Sequence, residues 1–302
     1  MKVFVTGGTG AIGRHVVPRL IADGHTVTAL ARGPQKAAEL ERHGARPAQV
    51  SLFDADALAA AFAGHDAVAN LATAIPSTAS YPFRRAWMAN DRIRTEGSAA
   101  VLRAARAAGV GRLVQESVAF VYPDRGDAWI DESTEPDVFP ILEGNLAAEA
   151  NAGRFAADGG DGVVLRFGLF YGPGSAHTDE MLAMARRRFG VQLGPPSAYQ
   201  PTIHLEDAAA AVSAALSVPS GTYNVSDDEP LTAREFTDAI AAAVGRRPLL
   251  RGPGRLAVLG GRNMAAITRS QRVSNRRFRT AASWSPRYPD ARAGWTATVA
   301  AG

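Results

Sequence analysis

The stretch "KVFVTGGTGAIG", Lys2 to Gly13, decides the fold. Val3 to Thr6 read as a short strand of β-branched and aromatic residues, and the chain then meets glycines at positions 7, 10 and 13 before a helical stretch, Gly13 to Ala22. Each glycine has a mechanical job at such a strand-to-helix turn: the tight turn itself, the close approach of backbone to a pyrophosphate, and the close packing of helix on sheet. A helix N-terminus adds unpaired N–H groups and partial positive charge. The segment therefore predicts a dinucleotide phosphate loop made of Gly7, Thr9, Gly10, Ala11, Ile12 and Gly13.

Working outward, short β-branched runs alternate with alanine-rich helical ones. "HTVTALA", "AQVSLF", "DAVANLA" and "RLVQES" read as strands, and Pro34–His43, Ala55–Phe62 and Ile93–Ala108 as helices. Repeats of this kind call for parallel strands joined by right-handed crossovers and covered on both faces. The fold class expected is α/β, a doubly wound parallel sheet (Rossmann fold) with a smaller, interleaved C-terminal substrate lobe. "GVVLRFGLF" supplies one more strand after a helix starting near Asn145, and beyond it the chain grows rich in glycine and proline. Residues 1–171 are expected to form the dinucleotide-binding domain, with returns near 202–225, and residues 172–302 mainly the substrate-binding lobe.

Composition excludes several classes. The 302 residues contain no cysteine, which removes disulfides and thiolate chemistry, and the six histidines show no i, i+4 pairing, so no metal site is expected. No signal peptide and no apolar run long enough to span a bilayer stand out, so a cytoplasmic location is expected. A net charge of +4 is modest, and the arginine clusters Arg186–Arg188 and Arg276, Arg277 and Arg279 lack interleaved aromatics. They read as solvated faces, and the partner expected is a small-molecule substrate, with neither nucleic acid nor membrane. Lys2 and Lys36 are the two lysines of the chain.

The end of the second strand chooses the cofactor. An acid there would bind the ribose 2′-OH of NAD, whereas a cation pairs with the 2′-phosphate of NADP. "LARGPQK" offers Arg32 with Lys36 near, which favours NADP over NAD.

"VTGGTGAIG", "DAVANLA", "LVQESVAFVYPD", "LRFGLFYGPG" and "IHLEDAA" together resemble the extended and atypical short-chain dehydrogenase/reductase superfamily, in its epimerase/dehydratase and NmrA-like branches. The resemblance runs over most of the chain. It implies that Leu71 and Ala72 pass under the nicotinamide ribose, that Asn90 is the helix asparagine near the site, and that a helix-paired homodimer is possible. It also implies a serine at the end of the fifth strand, and a tyrosine acid four residues before a lysine on the following helix, which share one helix face. Here the chain departs. Aligning "NLAAEA" puts Asn145 at the lysine position and Ile141 at the tyrosine position, and no lysine exists after Lys36. Val118 falls at the serine position, with Ser117 one residue earlier, on the other face of the strand unless a bulge intervenes.

The catalytic candidates left are Ser117, Tyr122, Asn145 and His177. Asn145 can orient a ribose or a carbonyl without charge, and His177, in a glycine-bounded loop, titrates near neutrality. Tyr171, Tyr199 and His204 border the family's cleft, and His204 reads as packing. Tyr81 and Arg85 repeat a tyrosine-to-cation spacing that chance explains, and Asp131 with Glu132 reads as surface or capping. The expected function is NADP(H)-dependent reduction of a carbonyl, enone or imine in a small organic molecule without the tyrosine–lysine pair. A non-redox cyclase, isomerase or dehydratase-like enzyme and a cofactor-sensing NmrA-like regulator are the alternatives.

Overall fold

The β-branched run that opens the chain becomes the middle of a parallel sheet. In a computed structural model describing residues 1–77, 80–254 and 266–301, β1 (Lys2–Thr6) is followed by β2 (Thr26–Leu30), β3 (Arg46–Ala48), β4 (Ala67–Asn70) and β5 (Arg112–Val118). A short β6 (Trp129–Ile130) lies outside the sheet. β7 (Asp161–Phe167), β8 (Leu169–Tyr171), β9 (Phe189–Leu193), β10 (Tyr199–Gln200), β11 (Thr202–His204) and β12 (Gly221–Val225) follow. Seven of these form one parallel sheet in the order β12-β7-β5-β4-β1-β2-β3. Chain order reverses at β1, between β2 and β4, and such a switch point opens a crevice at the carboxyl ends of the strands.

Strand residues alternate between two cores, as a period of two requires. Val3, Val5, Leu165 and Phe167 face one side, which α1 (Gly13–Ala22) covers through Val17 and Leu20. Phe4, Val68 and Leu113 face the other, against α3 (Ala55–Phe62, following α2, Pro34–Arg42). There α4 (Arg84–Arg92) and α5 (Ser98–Ala107) are one continuous rod interrupted by a π-turn over Ile93–Gly97. The helix thus starts nine residues before the one expected from sequence, because its first turns pack their apolar face on the site rather than on the sheet.

The expected strand Gly162–Phe170 divides at Gly168. A Cβ there would stand 2.7 Å from the Thr202 amide nitrogen, so glycine lets β8 leave the sheet and pair with β11 in parallel. After α6 (Glu143–Ala157), α7 (Ala176–Arg186), α8 (Leu205–Ala214) and α9 (Ala233–Ala243), the chain closes with helices Arg276–Ala282 and Ala291–Ala300. Tyr171, Met181, Phe236, Ile240 and Trp295 form a separate core beside the sheet.

Candidate functional site

The turn from Gly7 to Gly13 is built by contacts that only glycine permits. Gly7 has φ +71°, and a Cβ there would stand 2.6 Å from the Leu71 carbonyl oxygen. A Cβ on Gly13 would run into the Gly7 carbonyl oxygen, and the Gly10 N–H donates to that same oxygen at 2.9 Å. Thr9 is half-buried, Gly10 and Ala11 are exposed, and Ile12 is buried at the start of α1. The first turn of α1 carries no acid and no side-chain cap, so its positive end is left to a ligand.

Arg32 follows β2, exposed and with no ion pair among the described residues. Gly33, at φ +120°, then turns the chain into α2, whose first turn also lacks an acid. The neighbouring cations are engaged: Arg14 and Lys36 pair with the two oxygens of Glu39 at 3.0 and 2.9 Å. Consecutive residues of α1 also reach the turn after β8, Arg14 donating to the Gly174 carbonyl and His15 standing 3.0 Å from that of Pro173.

The carboxyl ends of the central strands carry a polar row. Thr6 donates to Asn70 at 2.5 Å, and Asn70 to Gln115 at 2.7 Å. Leu71 is buried just beyond it and Ala72 half-buried. Asn90, buried on α4, accepts from the Ala74 N–H at 3.2 Å and so holds the loop that carries them. One turn on, Arg94 is 1% exposed and pairs with the buried carboxylate of Glu116 at 2.5 Å. Burial pushes the Glu116 carboxyl up, and Arg94 opposes that. No residue spacing announces this pair, since nothing in the sequence says that the helix carries a π-turn. A buried Arg94 side chain also sets the depth of Gly144, where a Cβ would come 2.9 Å from the Cβ of Arg94, and thereby of Asn145.

Where the resemblance implies serine and tyrosine, the wall is apolar. Ile141, 1% exposed, packs with Trp87, Leu142 and Ala266, and Val118, Phe120 and Phe139 join them. Tyr81 meets Trp87 edge to face with ring centroids 4.7 Å apart, and burial pushes its hydroxyl pKa up. Asn145 is buried, and its Nδ2 has no hydrogen-bond partner among the described residues. An unpaired buried donor costs about 1–3 kcal/mol, so a ligand oxygen is the natural complement.

Two of the expected catalytic residues lie elsewhere. Ser117 donates to Glu149 at 2.6 Å, and Glu149 is paired with Arg166 at 2.7 Å. Arg166 donates to the Tyr122 hydroxyl at 2.9 Å, which donates in turn to Asn224 at 2.8 Å. Both hydroxyls belong to fully buried side chains that strap α6 to β5, β7 and β12; neither is open to a ligand. The strand continues without a bulge in its pairing to β7, Ser117 beside Arg166 and Val118 beside Phe167, so Ser117 keeps the face that simple alternation gives it. His177 is the second residue of α7 rather than a loop residue, half-buried, and burial lowers its pKa, opposed by Glu180. His204 is buried between Tyr171 and Tyr288, its pKa lowered to about 4 by burial. Asp131 caps its own loop through Ser133, and Glu132 accepts from the Asn224 N–H of the edge strand β12.

The model of the NAD dependent epimerase/dehydratase family matches residues 3–226. A Streptomyces 3-diazoavenalumate denitrifying reductase is 34% identical, over 97% of this chain and 99% of its own. Human epimerase family protein SDR39U1 (isoform 2), solved with NADPH, superposes with a TM-score of 0.83 at 26% identity, covering 99% of both chains. A Thermus thermophilus UDP-glucose 4-epimerase solved with NAD gives a TM-score of 0.81 at 25% identity, over 99% of this chain and 98% of that one.

Proposed function

The chain belongs to the NAD dependent epimerase/dehydratase family of the short-chain dehydrogenase/reductase superfamily, and from that premise we propose an NADP(H)-dependent reductase of small organic molecules that works without a tyrosine acid. The loop Gly7, Thr9, Gly10, Ala11, Ile12 and Gly13 would hold the pyrophosphate, and Arg32 the 2′-phosphate. The NADPH bound to the human relative supports that choice. Leu71, Ala72 and Asn90 would border the nicotinamide ribose, and the unpaired Nδ2 of Asn145 would donate to it. When bound, the reduced cofactor supplies a hydride.

The observation that carries the proposal is the apolar wall of Val118 and Ile141. Reduction of a carbonyl puts charge on oxygen, and a positioned acid there is worth roughly 10²- to 10⁴-fold in rate. Isoleucine and valine offer none. An acceptor that needs no acid fits the wall better, and the Streptomyces relative's name points to one: a diazo compound that loses nitrogen. When an aryl diazonium carbon takes a hydride, a C–H bond forms and the C–N pair departs with neutral dinitrogen, so no proton is called for. The chain supports this by what it places at the lysine position. A lysine about 4 Å from such a cation would cost about 4 kcal/mol; Asn145 costs none of it. Trp87, Tyr81, Phe120 and Phe139 would flank a flat aromatic ring. Carbonyl, enone or imine acceptors, protonated by water, stand second.

The test is NADPH deuterated at the transferable position, mixed with a carboxylated arenediazonium salt and the purified protein. Deuterium on the ring carbon with one dinitrogen released per NADPH consumed, above the uncatalysed rate, is expected. NADPH consumption with ketones but not with the diazonium would replace the acceptor, and substrate conversion without NADPH consumption would overturn the reductase.

A further inference from the structure

Away from the cleft, the fold joins two segments that look like separate solvated runs in sequence. α7 ends at Arg186, Arg187 caps it, and Arg188 takes a left-handed backbone, φ +62°, that leads into Phe189 at the start of β9. Its carbonyl accepts from the Leu249 N–H at 2.8 Å, and β9 then pairs in parallel with β14 (Leu250–Gly254, after β13, Leu231–Thr232), setting Leu250 beside Phe189. The result is one exposed face. Leu249 and Leu250 are 70% and 68% exposed and Phe189 is 36% exposed, with Arg246 and Arg247 adjoining. None of the five arginines, 186 to 188, 246 and 247, has a carboxylate partner among the described residues; the Arg188 guanidinium reaches only the Arg247 carbonyl.

We propose that this face docks on an anionic lipid surface, with Leu249, Leu250 and Phe189 entering the headgroup boundary and the arginines pairing with phosphates. Charge decides against a second copy of the chain, since a symmetric contact would set ten unpaired arginines against one another. The apolar residues decide against nucleic acid: two adjacent leucines at this exposure give no stacking surface, whereas apolar tips ringed by arginine are the pattern of interfacial binding. This departs from the reading of Arg186–Arg188 as a purely solvated helix end, because Leu249 and Leu250 lie some 60 residues away in sequence and only the β9–β14 pairing brings them alongside.

The experiment is flotation of the full chain with vesicles of phosphatidylcholine alone and of phosphatidylcholine with phosphatidylglycerol. Binding to the anionic vesicles only, released by high salt, is expected. Leu249→Ser/Leu250→Ser should lower partitioning about tenfold, and Arg186→Glu/Arg187→Glu about a hundredfold or more. Both variants should keep wild-type NADPH affinity and melting temperature, which shows that the lobe is folded. Absence of binding at low salt overturns the proposal. So does a leucine variant that binds as well as wild type while the arginine variant does not, which would mark a polyanion or an acidic protein as the partner instead.

Discussion

The turn Gly7–Gly13 and the junction of β5 with α6 stand on the same edge of the sheet, yet they are constrained in opposite ways. In the turn, backbone approaches backbone, and a single added carbon meets the Leu71 or Gly7 carbonyl; the residue type follows from geometry alone. At the junction, positions 118, 141 and 145 are held by packing and by chemistry, and packing accepts any side chain of suitable volume. Val118 and Ile141 fill the wall as well as polar residues would. A glycine turn of this kind can therefore persist while the side chains beside it change, and the two halves answer to different demands, backbone clearance in one and side-chain volume in the other.

The largest effect should come from breaking the rigid half. Gly13→Ala forces a carbon into the Gly7 carbonyl, with no flexible side chain to yield. NADPH affinity should fall by at least about a hundredfold, and stability by about 3 kcal/mol or more. Titration calorimetry and thermal melting read the two. Unchanged affinity would mean that the pyrophosphate does not sit on this turn.

The permissive half should instead accept rebuilding. Val118→Ser/Ile141→Tyr/Asn145→Lys restores the polar set that the resemblance implies, and ketone reduction should rise by roughly 10²- to 10⁴-fold, while diazonium reduction falls. Steady-state rates on both substrates measure it. A fall in both would show that the wall's shape, rather than its lack of a proton donor, defines the reaction.

Between these extremes lies Arg32, positioned by Gly33 but chosen for charge. Arg32→Ser should weaken NADPH by about 10- to 100-fold and leave NADH unchanged. Parallel titrations of the two cofactors check it. An equal loss for both would move the 2′-phosphate elsewhere, to Arg14 or Lys36 released from Glu39.

How much could be read in advance follows the same division. The strand-turn-helix opening, the β/α alternation and the apolar content of positions 118 and 141 were legible, because each is a local pattern or a residue identity. The network joining Ser117, Glu149, Arg166, Tyr122 and Asn224 was not, since its members come from four elements and the loop after β5, whose register only the folded sheet defines. Tyr122 illustrates the cost: its sequence context places it near the cleft, and the fold turns its hydroxyl inward. Ser117→Ala and Tyr122→Phe should each lower stability by about 1–2 kcal/mol with kcat unchanged. A loss of kcat without loss of stability would return either hydroxyl to the reaction.

The smallest effect, and the sharpest on proton supply, belongs to His177. Burial lowers its pKa below 6.5 in the folded protein, with Glu180 opposing. Above pH 6.5 both the folded and the unfolded chain carry it neutral, and its contribution to stability is fully present. As pH falls through 6.5 toward the lowered value, the unfolded chain takes up the proton first and that stability is lost. His177→Gln should therefore melt closer to wild type, or above it, at pH 5 than at pH 7. Its consequence for turnover separates two mechanisms. If His177 were the acid, kcat/KM would fall as pH rises through its lowered pKa, and glutamine would remove that limb. With an acceptor that takes hydride and sheds a neutral group, wild type and His177→Gln should instead trace the same profile from pH 5 to pH 8, because no proton is awaited.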